Sequence, residues 1–144
     1  MKISIGSDHA GFDLKQNVIK WLENNKHEVT DEGCFSFESV DYPDYAHKVG
    51  LKVNDSVADF GIVICGSGNG VNMVVNKYPH VRSALCWEVE ISKLARLHND
   101  ANICAIPARF ISTDEALLII DVFLNTAFEG GRHLIRVNKI NINN

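Results

Sequence analysis

Five times along this chain a short apolar run bounded by turn residues is followed by a segment of helical period. Few folds accommodate that alternation. A right-handed crossover between parallel strands needs a covering helix, so the pattern predicts an α/β protein with five parallel strands and helices on both faces. The strands are expected at 3–5, near Val29, at 60–65, 81–87 and 103–106. Ile62, Val63 and Ile64 in the third form an unbroken apolar centre, which suits a strand covered on both sides. The first helix carries the stripe Leu14, Val18, Trp21 and Leu22. The second is expected to begin at Tyr42-Pro43-Asp44, where proline suits a first turn, and to bury Ala46, Val49 and Val53. The third runs through 73–76, the fourth carries Ile91, Leu94 and Ala95, and the fifth spans 112–126. A short helical or extended arm follows Gly130-Gly131, and the polar end 141–144 is expected to fray.

The 144 residues fit one domain, 1–144, without a linker, repeat or low-complexity tract. A formal charge of −4 gives no basic face for nucleic acid. The four cysteines, Cys34, Cys65, Cys86 and Cys104, are scattered without a C-x-x-C pair, which points to a reducing compartment. No apolar run reaches the length of a membrane span, and the first residues read as a strand rather than a signal peptide. A cytoplasmic location is expected.

Ligands of open α/β sheets sit beyond the carboxyl ends of the strands. The turns there hold Ser7-Asp8-His9, Cys65-Gly66-Ser67-Gly68-Asn69-Gly70, Trp87-Glu88 and Pro107-Ala108-Arg109. In the second of these, alternate glycines let backbone N–H groups approach an anion ahead of a helix, and the same field favours a thiolate at Cys65. A tight turn after an ordinary core cysteine is the plainer reading. A P-loop would continue Lys-Ser/Thr, and a cysteine-phosphatase loop would continue with arginine; Val71-Asn72 stands there instead. The glycine spacing is also G-x-G-x-G, which departs from the dinucleotide fingerprint.

Asp8 reads as a helix cap, with His9 presented to a ligand or to solvent. His98, placed on the inward stripe of the fourth helix with Leu94 and Ala95, is either a dipole partner at the helix end or a proton carrier near neutral pH. Arg132 and Arg136, four apart, would repel on one helix face, and an anion between them relieves that repulsion. A solvated basic tail, or ion pairs to a partner subunit, would do so too. No metal-ligand cluster of strong spacing and no cofactor motif is present. The set suits a phosphorylated substrate whose carbon acid is deprotonated while N–H groups hold the oxyanion.

Six stretches in order carry a resemblance over nearly the whole chain. They are Gly6-Ser7-Asp8-His9-Ala10-Gly11-Phe12, Asp41-Tyr42-Pro43, Cys65-Gly66-Ser67-Gly68-Asn69-Gly70, Asn76-Lys77, Arg96-Leu97-His98-Asn99-Asp100-Ala101-Asn102 and Glu129-Gly130-Gly131-Arg132-His133. The sequence resembles the family of ribose-5-phosphate isomerase B and galactose-6-phosphate isomerase subunits. That resemblance implies a three-layer α/β/α sandwich on a Rossmann-like parallel sheet. It implies a homodimer, or a tetramer, with active sites at the interface and the arm from about 130 contributing. It implies exchange of ribose 5-phosphate and ribulose 5-phosphate with no cofactor or metal. By the same resemblance Cys65 is the base, His98 assists ring opening and Asp8 holds ring hydroxyls. Ser67 moves a proton between oxygens, while the N–H groups of Gly66, Ser67, Gly68, Asn69 and Gly70, with Asn99, hold the enediolate. His9, Arg109, Arg132 and Arg136 bind phosphate, with His133 beside them, and Tyr42 lines the pocket. Relatives that use a glutamate after the loop find no counterpart in Val71-Asn72-Met73-Val74. Trp87 is a departure expected at the pocket mouth. A six-carbon sugar phosphate, a non-catalytic phosphosugar-binding module and a redox-sensing cysteine protein are the rival readings.

Overall fold

The structure, a computed structural model, describes residues 1–141. The fraying expected of the last residues therefore falls, for 142–144, outside the described residues. Five strands, β1 (Lys2–Ser7), β2 (Glu28–Asp31), β3 (Phe60–Cys65), β4 (Ser83–Leu85) and β5 (Ile103–Pro107), form one parallel sheet in the order β2-β1-β3-β5-β4. The helices between them are α1 (Phe12–Asn24), α2 (Tyr42–Asn54), α3 (Asn69–Val75), α4 (Val89–Asn99) and α5 (Thr113–Asn125), with a short α6 (Arg132–Val137) last. Helices cover both faces, and the expected α/β/α sandwich is the fold observed.

Strand alternation divides the core. Ile62 and Ile64 of β3, with Cys104 and Ile106 of β5, face α1 and α5 through Leu14, Val18, Leu22, Ile119, Ile120 and Phe123. Val63 and Cys65, with Ile103 and Ala105, face α2 and α3 through Ala46, Val49, Val53, Val71 and Val75. Cys65 thus lies at the carboxyl end of a buried strand, on the α2–α3 side.

Three details differ from the sequence reading. Strand β4 is only Ser83–Leu85, shorter than 81–87, because it lies at the sheet edge and pairs with β5 alone. Helix α3 starts at Asn69, ahead of Met73, immediately after Gly68 takes a left-handed φ of 74°. Helix α4 is rotated relative to its expected stripe: Ser92, Ala95 and Arg96 are its buried residues, while Leu94 and His98 are half-buried. The cause is polar. Ser92 Oγ donates to Ile119 O (2.8 Å), and Arg96 donates to Ala101 O (2.5 Å) and Thr126 O (3.2 Å). The Arg96 guanidinium also lies 5.0 Å from the Phe60 ring and 5.8 Å from the Phe123 ring, so the helix turns its partnered polar side inward.

Candidate active site

Parallel pairing puts the ends of β1, β3 and β5 side by side, with Ser7 opposite Ile64 and Cys65 opposite Pro107. The turns that follow these strands enclose a cleft of about 430 Å³ at the carboxyl edge of the sheet. Asp8, His9, Tyr42, Cys65, Gly66, Ser67, Gly70 and Arg109 line it, all of them residues singled out from sequence. Ala10 and Phe110 line it too and were missed, since neither belongs to an apolar period nor carries reactive chemistry.

Cys65 is 5% exposed, and its Sγ accepts the Gly68 N–H at 3.1 Å, a donor well placed for negative charge on sulfur. The first bond of α3 runs from Asn72 N–H to Gly68 O (3.2 Å), so the N–H groups of Asn69, Gly70 and Val71 have no intrahelical acceptor. Gly70 is required by space, and Gly66 lies close against a side chain. A Cβ on Gly70 would lie 2.6 Å from the Tyr42 ring, and one on Gly66 would crowd the Arg109 side chain at 3.2 Å. Asp8, 8% exposed, caps the turn after β1: its Oδ1 accepts the Gly11 N–H at 3.0 Å, leaving Oδ2 for a ligand hydroxyl. The cap therefore leaves the other carboxylate oxygen at the cleft wall.

The other candidates gather elsewhere. Helix α4 returns from the end of β4 to the start of β5, so its last turn lies at the amino edge, where Gly61 N–H donates to Asn102 O (2.9 Å). About 17 Å of strand separates that edge from Cys65. His98 and Asn99 sit there, and the arm docks on them through Glu129 N–H to Leu97 O (3.1 Å). His98 and His133 stack with centroids 4.1 Å apart and planes 6° from parallel, each Nε2 being 3.9 Å from Glu129 Oε2. Arg132 and Arg136 share one exposed face of α6, as their spacing predicted, and neither makes an ion pair among the described residues.

His98, Glu129 and His133 hold their ligand atoms within 4.8 Å of one another, a trio that no sequence spacing disclosed. As arranged it fits a metal poorly. Parallel stacked rings aim their Nε2 lone pairs along separate planes, whereas zinc needs both converging at about 2 Å. The Arg132 Nε, 3.4 Å from His133 Nε2, adds a competing cation. His133 has its pKa lowered by burial first, then by the charge of His98 and of Arg132 and Arg136, with Glu129 opposing.

Trp87 and Leu85 line a neighbouring apolar recess of about 360 Å³ with Pro107, Phe110 and Ile111. It shares Ser67 and Phe110 with the Cys65 cleft, which puts Trp87 beside the mouth as expected. Among the described residues no helix is long and apolar enough to cross a membrane, and all four cysteines are free and buried.

The sequence model of a ribose/galactose isomerase family matches residues 3–140. This chain belongs to the ribose/galactose isomerase family. Within that family, ribose-5-phosphate isomerase B of Escherichia coli is 41% identical, over 96% of this chain and 93% of the relative. A Thermotoga maritima ribose 5-phosphate isomerase structure superposes with a TM-score of 0.95 at 48% identity, covering 97% of both chains. The Mycoplasma genitalium ribose-5-phosphate isomerase B structure, which holds ribulose 5-phosphate, superposes with a TM-score of 0.93 at 42% identity. It covers 96% of this chain and 93% of its own.

Proposed function

We propose that this protein interconverts ribose 5-phosphate and ribulose 5-phosphate through a cis-enediolate, in the cytoplasm and as a homodimer. The ribulose 5-phosphate held by the Mycoplasma genitalium relative supports the substrate. The observation that carries the chemistry is Cys65 Sγ at the cleft wall, with the Gly68 N–H donated to it. In this reading His98 assists opening of the furanose ring, and the Cys65 thiolate takes the C2 proton of the open aldehyde. The C2–H electrons form the C1–C2 double bond, and the carbonyl electrons move to O1, where N–H groups of the 66–70 loop with Asn99 hold the negative charge. Ser67 helps carry the O2 proton to O1, and Cys65 returns its proton to C1, leaving a ketone at C2. Asp8 holds ring hydroxyls beside Tyr42, while His9, Arg109, Arg132 and Arg136, with His133 behind them, surround the phosphate.

The separation of the two residue groups supports the dimer. Cys65, Asp8, His9 and Arg109 at one edge need His98, Asn99, Arg132 and Arg136 from the other edge of a second chain. Leu134 and Ile135, exposed on the arm, suit such a contact.

Exchange of substrate protons into deuterated water tests the reading. The wild-type protein is expected to exchange the C1 and C2 positions and to turn over ribose 5-phosphate faster than six-carbon sugar phosphates. Cys65→Ala should lose about 10²–10⁴-fold in kcat while still binding substrate. Near-normal turnover by Cys65→Ala would remove the base, and absence of exchange in the wild type would leave only a binding module.

A further inference from the structure

Lys15 is assigned neither to proton transfer nor to substrate contact, yet its side chain has no exposed surface. Its Nζ donates to Asp31 Oδ1 and to Cys34 O (2.8 Å), and lies 5.2 Å from the Phe35 ring centroid and 5.7 Å from that of Phe12. Removing an ammonium from water is costly, and buried ion pairs can often be replaced by apolar groups without loss of stability. Stability alone is therefore a weak reason for this arrangement.

What the ammonium holds lies beside the cleft. Residues 32–41 connect β2 to α2 without regular structure. Asp31 Oδ1 accepts the Gly33 N–H at 2.9 Å as well as Lys15. Ser7 N–H donates to Gly33 O (2.6 Å) and Cys34 N–H donates to Ser7 O (2.8 Å), so the start of this loop is fastened to the last residue of β1, next to Asp8. Farther on, Phe37 meets Phe12 edge-on at 4.7 Å, and Val40 N–H donates to His9 Nδ1 at 3.3 Å. A ring nitrogen that accepts a backbone N–H carries no proton, so neutral His9 holds its hydrogen on Nε2. That tautomer offers an N–H donor to an anionic ligand.

We propose that Lys15 is a positioning residue: by clamping 31–34 to the end of β1, it sets the path of the loop whose Val40 N–H fixes His9 as the Nε2–H tautomer. The proposal rests on reading the Cys65 cleft as a sugar-phosphate site. Its first test needs no substrate, so the two can fail separately.

Nitrogen-15 NMR of histidine-labelled protein, at a pH above the ordinary histidine range, reads the His9 tautomer directly. The wild type should show Nε2–H, and Lys15→Met a mixture, with KM for ribose 5-phosphate raised about tenfold and kcat changed less than about twofold. Lys15→Met/Asp31→Leu removes both charges and keeps the test available if the single variant folds poorly. It should regain thermal stability while keeping the mixed tautomer and the raised KM. An Nδ1–H tautomer in the wild type overturns the proposal. So does a double variant whose His9 tautomer or KM matches the wild type, since Lys15 would then serve packing alone.

Discussion

His133 shows how one side chain ties the candidate site to stability. It is 4% exposed, lies against the His98 ring, and has its pKa held below the ordinary value chiefly by burial. In the unfolded chain it would titrate near 6.5, so over the window below that value the unfolded state binds more protons than the native one. The stability contributed by neutral His133 is present above about pH 6.5 and is lost as pH falls through its lower folded value. Urea unfolding from about pH 7.5 to about pH 5 should therefore cost the wild type more stability than His133→Asn. Equal acid sensitivity in the two would show that His133 is not buried neutral. Such a residue was visible in sequence only as part of a motif; its burial depends on His98, thirty-five positions earlier.

At the scale of elements, helix ends followed local chemistry closely. Ser112 caps α5 by accepting the Glu115 N–H (3.3 Å), and Glu115 Oε2 accepts the Ser112 N–H in return (2.9 Å). The Ser112 N–H foremost, and then the Ser112 hydroxyl donating to the same oxygen (2.8 Å), hold the Glu115 carboxyl below its usual range. Ser112→Ala should destabilise the protein by about 1 kcal/mol, seen as a lower urea midpoint with unchanged slope. An unchanged midpoint would mean that the packing of Ile119, Ile120 and Phe123 alone fixes this helix. Periodicity served α1, α2 and α5 well, because each has an apolar stripe facing the sheet. It misjudged α4, where Ser92 and Arg96 satisfy their polar groups inside and Leu94 stays half-buried. No sum over apolar residues anticipates that rotation, since the acceptors on Ile119 and Thr126 are more than twenty residues away.

For the whole molecule, the candidate residues stand in two groups, one at each edge of the sheet. If two chains complete each site, a hybrid of Cys65→Ala and His98→Asn subunits has one site with both wild-type residues and one with neither. Mixing the two inactive proteins and exchanging subunits should restore about a quarter of wild-type activity, from statistical pairing in a two-fold dimer. No recovery, with hybrids verified by mass, would place Cys65 and His98 of one chain in the same site. Sequence alone determined the class of fold, the strand β3 and the glycine-rich loop after it. Each of these is written in periods and spacings within a few residues. Only the tertiary structure decided that Cys65, Asp8, His9 and Arg109 share one cleft while His98, Glu129 and His133 meet at the opposite edge. It also decided that Lys15 is buried against Asp31. Those arrangements depend on strand order, helix rotation and contacts between distant residues, which local periodicity does not encode.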